Sequence, residues 1–225
     1  IGTTVTAAPG YPELAVKNLA ELTGIDFKNS EDLIAATSDC GAYMTLSSAI
    51  KGLAVKMTKV CNDIRLLASG PRCGLKEINL PQLQPGSSIM PGKVNPVAAE
   101  VANQASFLAI GLDTTVMLAA SAGQLELNVM EPVITFALYT QMKVMTNACD
   151  TLRTKLVEGV TANTERCKDY VMNSIGIVTL LKPHFGYQKC AAIAKEGYTT
   201  GKSLHQIVVD EQHLMTQAEW DATFN

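Results

Sequence analysis

Between residues 85 and 96 the chain reads Pro-Gly-Ser-Ser-Ile-Met-Pro-Gly-Lys-Val-Asn-Pro. Gly86 and Gly92 free the backbone. With Ser87 and Ser88 they can turn several N–H groups toward one point, an arrangement that suits a carboxylate or a developing oxyanion. Lys93 adds a positive charge, and Asn95 supplies both a donor and an acceptor. Pro91 and Pro96 restrict the loop, and Pro96 also suits a helix start. A substrate with carboxylates would find complementary partners here. A polar surface loop that caps the next helix is the other reading of the same residues.

Little else in the chain has the texture of a reactive site. Residues 197–203, Gly-Tyr-Thr-Thr-Gly-Lys-Ser, have one residue too few between the glycines for a phosphate-binding loop, and no strand reads before them. His184, His205 and His213 and the six cysteines (Cys40, Cys61, Cys73, Cys149, Cys167, Cys190) show no metal-ligand spacing, so no metal site is expected. No Cys-x-x-Cys pair occurs. Most of the thiols sit in apolar, helix-like contexts and read as reduced core residues of a cytoplasmic protein.

The elements that must position the loop are helical. Apolar residues suit one helix face from about Pro12 to Thr23, and Gly24 is a natural stop. Ser30, followed by Glu31 and Asp32, predicts a helix start. Residues 38–68 form the longest candidate, with Leu46, Ile50, Leu53, Met57, Val60, Ile64 and Leu67 recurring every three or four positions. Ser69-Gly70-Pro71 ends it, and residues 74–85 read as an irregular or strand-like connector. After the loop, long helices are predicted over 97–121 and 132–156. Shorter ones follow over 165–181, 188–198, 203–211 and 217–224, with a Lys-Pro-His-Phe-Gly turn at 182–186. The fold class is therefore all-α: a long-helix bundle over residues 1–160 and a small helical domain over 161–225. Apolar or small residues also lie off the main stripe of the 38–68 helix, which calls for cover on more than one face and hence for oligomers.

Composition narrows the partners. With 225 residues, 47% of them hydrophobic, the chain is long enough to bury a core unaided. A formal net charge of −3 argues against nucleic acid. No uninterrupted apolar run reaches the ~20 residues that a bilayer requires, and no signal peptide is visible.

Gly-Ser-Ser-Ile-Met-Pro-Gly-Lys-Val-Asn-Pro at 86–96 resembles the signature loop of the fumarase/aspartase superfamily. The likeness extends upstream through residues 36–86. Downstream it runs through Ala-Gly-Gln-Leu-Glu-Leu-Asn-Val-Met-Glu-Pro-Val-Ile at 122–134 and through 173–187. Residues 123–132 have the aspartase rather than the fumarase form. The resemblance implies a carbon–nitrogen lyase that reversibly eliminates ammonia from L-aspartate to give fumarate, as a homotetramer with shared sites and no required cofactor. Divalent-cation activation is neither supported nor excluded. It further implies that Ser87 is the general base, that Ser88, Lys93 and Asn95 hold substrate, and that Met90 lines the pocket. Glu100 would pair with an active-site histidine; as a first-turn helix acid it has a second reading. Fumarate hydratase and a non-catalytic assembly module stay open as alternatives. The family's histidine and further substrate contacts come from segments upstream of residue 1, so the chain reads as the middle and C-terminal part of such a protein. Residues 2–6 depart from the family pattern and take no role.

Overall fold

The computed structural model describes residues 2–86, 90 and 92–224. Two compact units result: the chain up to Leu67 together with Leu80–Val160, and Ala68–Asn79 together with the chain from Thr161 onward.

The first unit is built on three long helices, α2 (Gly41–Leu67), α3 (Val97–Ser121) and α4 (Glu131–Lys155). A shorter helix, α1 (Tyr11–Thr23), runs between the left-handed Gly10 and Gly24 and buries none of its own residues. Where Ser30 predicted a helix start, Asp32 does the capping. Its carboxylate accepts from the N–H groups of Ile34 and Ala35, and only one 3₁₀ turn, Ala35–Thr37, follows.

The inner row of α3 is Ala99, Ala102, Ser106, Ala109, Asp113 and Val116, spaced alternately three and four residues apart and all buried. Small side chains let neighbouring helices approach closely, and this row packs with Ala54, Met57 and Cys61 of α2 and Met145, Ala148 and Leu152 of α4. Among the described residues, α3 is the one helix long and apolar enough to cross a bilayer; here its inner row is the seam of the bundle. Asp113 lies within that seam. Its Oδ1 accepts from Ser47 Oγ at 2.8 Å, and its Oδ2 receives Lys51 Nζ at 2.5 Å. A second polar contact joins the same helices, from Asn103 Nδ2 to Asn62 Oδ1 at 2.9 Å.

In the second unit the connector forms a two-residue strand, β1 (Ile78–Asn79), antiparallel to β2 (Thr161–Ala162). Asn163 Nδ2 donates to the Lys76 carbonyl, and Tyr170 Oη to that of Leu75. Residues 68–79, placed on sequence with the bundle, thus pack with the C-terminal residues. The helix predicted over 165–181 is interrupted. After α5 (Thr164–Met172), Asn173 Nδ2 takes the Asp169 carbonyl and Ser174 Oγ caps Gly176 N, so that a 3₁₀ segment, Ile175–Leu181, begins afresh. The turn expected at 182–186 is a short helical turn that breaks at Gly186 (φ 71°, ψ 171°), and the longer part of α6 (Lys182–Thr200) follows the break, close to the start predicted at 188. Residues Gln206–Glu211 form a π-helical turn, and α7 (Gln217–Phe224) closes the unit with Trp220 in its core.

Burial opposes ionisation of Asp113, but the hydrogen bonds from Lys51, Ser47 and Ser48 and the Lys51 charge outweigh it and hold the carboxyl below its ordinary value of 3.8. A depressed folded-state value means stability that is present above 3.8 and lost as pH falls through the lower value. Asp113→Ala should cost roughly 1.5–3 kcal/mol at neutral pH, because it strands Lys51 and Ser47. In thermal melts from about pH 6 down to about pH 2, the gap between parent and variant should narrow toward acid; a constant gap would exclude the charge as its origin.

Candidate functional site

The loop at 86–96 is closed at its base. Gly86 has φ 90°, and a Cβ placed on it would sit 2.9 Å from the carbonyl oxygen of Lys93, so only glycine lets the two arms approach. Gly92, also left-handed at φ 80°, turns the second arm, and Lys93 N reaches the Met90 carbonyl at 3.4 Å. Pro96 follows as the N-cap of α3, its carbonyl accepting from Glu100 N at 3.0 Å.

Met90 and Lys93 are exposed, whereas Asn95 and Glu100 are half-buried. Lys93 and Asn95 therefore stand on the arm that enters α3, and Glu100 on its first turn. The residues predicted to hold a carboxylate are joined to one rigid element whose N-terminus carries partial positive charge. Ser87 and Ser88 lie outside the described residues. Among the described residues no ion pair engages Lys93 or Glu100. A cavity of about 560 Å³ lies elsewhere, between α2 and α4, lined by Ile50, Leu53, Met142 and Met145 among others. It is mostly apolar, and none of its lining residues belongs to the loop.

At the opposite end of α3 the Gly123–Pro132 segment is ordered around Asn128, a residue that sequence reasoning used only as part of a motif. Its Nδ2 faces the carbonyls of Ala119 (3.0 Å) and Ala120 (3.1 Å) and the Cys40 thiol, while its Oδ1 accepts from Met130 N at 2.8 Å. One buried amide thus finishes α3 and starts α4. A Cβ on Gly123 would press on this amide at 3.2–3.4 Å, and Leu125 (φ 49°) tips a turn closed by Gln124 and Leu127. Burial pushes the Cys40 and Cys61 thiols up, so both behave as packing groups rather than nucleophiles. The signal for Asn128 was a polar residue three positions before a helix with proline in its first turn. Asp113 and Asn103 likewise could be spotted as polar breaks in an apolar period.

Comparison with known proteins agrees with the loop. The family described as Lyase matches residues 1–111, and Fumarase C C-terminus matches residues 177–225. Aspartate ammonia-lyase of Escherichia coli (strain K12) is 56% identical over 225 residues, covering 100% of this chain and 47% of that protein. The Helicobacter pylori (strain ATCC 700392 / 26695) protein of the same name is 53% identical over 224 residues, covering 100% and 48%. The chain thus spans about half the length of the curated relatives it matches. Among solved structures, a fumarate lyase:delta crystallin from Brucella melitensis superposes with TM-score 0.93 at 41% identity, covering 100% of this chain and 48% of that one. Class II fumarase from Schistosoma mansoni gives 0.88 at 32%, covering 100% and 50%.

Replacing Asn128 by leucine should leave the Ala120 carbonyl and the Met130 N–H without the amide's bonds and take one of two donors from the Ala119 carbonyl, at about 2 kcal/mol. That corresponds to a fall of about 4–8 °C in melting temperature for a chain of this size. An unchanged melt would show that the amide is not what joins α3 to α4.

Proposed function

We propose that this chain is part of a fumarase/aspartase superfamily protein and carries the base loop of an aspartate ammonia-lyase. The observation that carries the reading is the closed loop that delivers Lys93 and Asn95 to the N-terminus of α3. The identities of 53–56% to aspartate ammonia-lyases, against 32% to a class II fumarase, favour ammonia over water as the leaving group.

In the proposed reaction Ser87, as its alkoxide, takes the proton from the carbon beside the β-carboxylate of L-aspartate. The electrons of that C–H bond move into the carboxyl group, which becomes an aci-carboxylate with two negative charges. The C–N bond then breaks, its electrons leaving with ammonia as the double bond of fumarate forms; the proton taken by Ser87 passes to solvent, and ammonia takes one up from solvent to give ammonium. A serine hydroxyl is a weak base, and the positive surroundings of the loop, with Lys93 six residues on in the same loop, lower the cost of its alkoxide. Lys93 and Asn95 bind carboxylate oxygens, so they act on charge that grows toward the transition state. Glu100, half-buried on the first turn of α3, is available to pair with a histidine supplied from outside these residues.

We extend the proposal to a homotetramer with shared sites. The outer faces of α2, α3 and α4 support it, since Leu53, Val101, Phe107, Phe136 and Tyr139 are all exposed in the single chain. Six free thiols fit a reducing, cytoplasmic setting.

The deciding assay follows fumarate by ultraviolet absorbance in the full-length protein, with L-aspartate and L-malate offered in parallel. Release from L-aspartate alone is expected. Ser87→Ala should lower turnover by at least about a hundredfold with an unchanged melting temperature. Turnover of L-malate instead would replace the ammonia-lyase by a hydratase, and an active Ser87→Ala variant would remove the serine from the role of base.

A further inference from the structure

The α2–α3 contact poses a problem of alignment. The inner row of α3 alternates steps of three and four residues through Ala99, Ala102, Ser106, Ala109, Asp113 and Val116. A shift of seven residues, about 10 Å along the axis, lays Ala102 on the place of Ala109, and Ala109 on that of Val116. A row of such uniform, small side chains offers several alignments of similar burial, because apolar contact is not directional. One of its positions nevertheless holds a charge.

We propose that Asp113 with Lys51 and Ser47, and Asn103 with Asn62, are positioning residues for the base loop, two polar pins that select one alignment of α3 on α2. The helices run antiparallel, so the pins lie about 15 Å apart along the contact, ten residues on α3. Only one alignment brings both pins home. Any other leaves Asp113, with its side chain 10% exposed, facing apolar groups without Lys51. The second pin has a defined orientation. Asn62 Oδ1 also accepts from Arg65 Nη1 at 3.3 Å, and a guanidinium only donates, so the Asn103 amide must present its NH₂ to Asn62. Its own Oδ1 is then buried without a donor. An interaction this incompletely satisfied is a poor source of stability, but it discriminates between alignments, as a polar group at one seam position does in coiled coils.

The pins matter to the loop because α3 is its mount. Asn95, Pro96 and Glu100 begin the helix, and Glu100 is 13 residues, about 20 Å, from Asp113. A displacement of α3 carries these residues with it, and catalytic groups tolerate errors on the order of 1 Å. Neither pin touches the loop, so their influence is purely through alignment. At the far end Asn128 grips the α3–α4 turn and reaches Thr37 and Cys40, and it stays in place in the variants below.

The test compares four forms of the full-length protein: the parent, Lys51→Met with Asp113→Leu, Asn103→Leu, and all three substitutions together. Lys51 and Asp113 leave together, and the Ser47 hydroxyl, which loses its acceptor, can turn to the carbonyl four residues before it, so the triple variant should melt close to the parent temperature. Its kcat/KM for fumarate release should nevertheless fall about tenfold or more. Its amides over 97–110 should exchange as more than one population, where the parent shows one. Either pin alone should retain most of the parent behaviour. A triple variant with parent-like activity and a single exchange population overturns the proposal, and so does one that fails to fold, since the pins would then be stability elements. The activity readout rests on the ammonia-lyase reading, whereas the exchange readout does not. If the parent is inactive on L-aspartate that reading fails, while the alignment claim is still decided by exchange.

Discussion

The close approach of α2 and α3 is the constraint on which the rest of the first unit depends. It is made by alanines and a serine rather than by large side chains, so it contributes little apolar area per residue but holds two backbones near each other along several turns. Helices packed this way leave little room for a broad hydrophobic core between them. What remains of their apolar surface is turned outward, on α3 as Val101, Phe107, Leu108, Met117 and Leu118. The same economy explains why the polar groups in the seam must be paired. A carboxylate in this row has little water to turn to, and Lys51, half-exposed, supplies charge while keeping its own ammonium partly solvated.

From this rod the loop takes its geometry. Its downstream arm is continuous with α3, and its upstream arm returns to Lys93 through the contact that only a glycine at 86 permits. The chemistry proposed for it is electrostatic in character. An elimination that gathers two negative charges on one carboxyl group is helped most by donors already fixed before that charge appears. Fixing them at a helix start, beyond two left-handed glycines, keeps their reorganisation small. A loop mounted on a less rigid element would have to be ordered by substrate, with binding energy diverted from the transition state.

The long helices were legible because their apolar residues repeat over many turns, and the predicted 97–121 coincides with α3. The start of α4 was legible from Pro132, and its observed first residue is Glu131. Shorter elements were not. Asn173 and Ser174 compete locally for backbone groups, and a period-based reading runs straight across them. The connector at 68–79 has no period at all, and its allegiance is decided by Asn163, Tyr170 and a two-residue ladder more than 80 residues away. Lys93 and Asn95 were named from the loop itself and Glu100 through the resemblance, and the fold places all three around the start of one helix. Their roles came from resemblance, since spacing alone left a helix-capping loop open. The pairs Lys51–Asp113 and Asn62–Asn103 join residues 41 or more positions apart, and nothing local announces such a partnership.

The outer face of α3 carries the argument one step further. It is neither the uniform surface of a lipid-facing helix nor a solvated one. Gln104, Gly111, Thr114 and Ser121 alternate there with Val101, Phe107, Leu108 and Leu118, all exposed in the single chain. Lipid would leave the amide of Gln104 unsatisfied, and water would gain nothing from the phenyl ring of Phe107. Another helix satisfies both, with small residues permitting approach and polar ones finding partners. In the proposed assembly that helix comes from a second copy, and the seam between α2 and α3 then lies between the loop on one side and a subunit contact on the other. An alignment chosen by Asp113 and Asn103 would set both at once. This is a physical reason for keeping a charge in a row where alanine would pack as well.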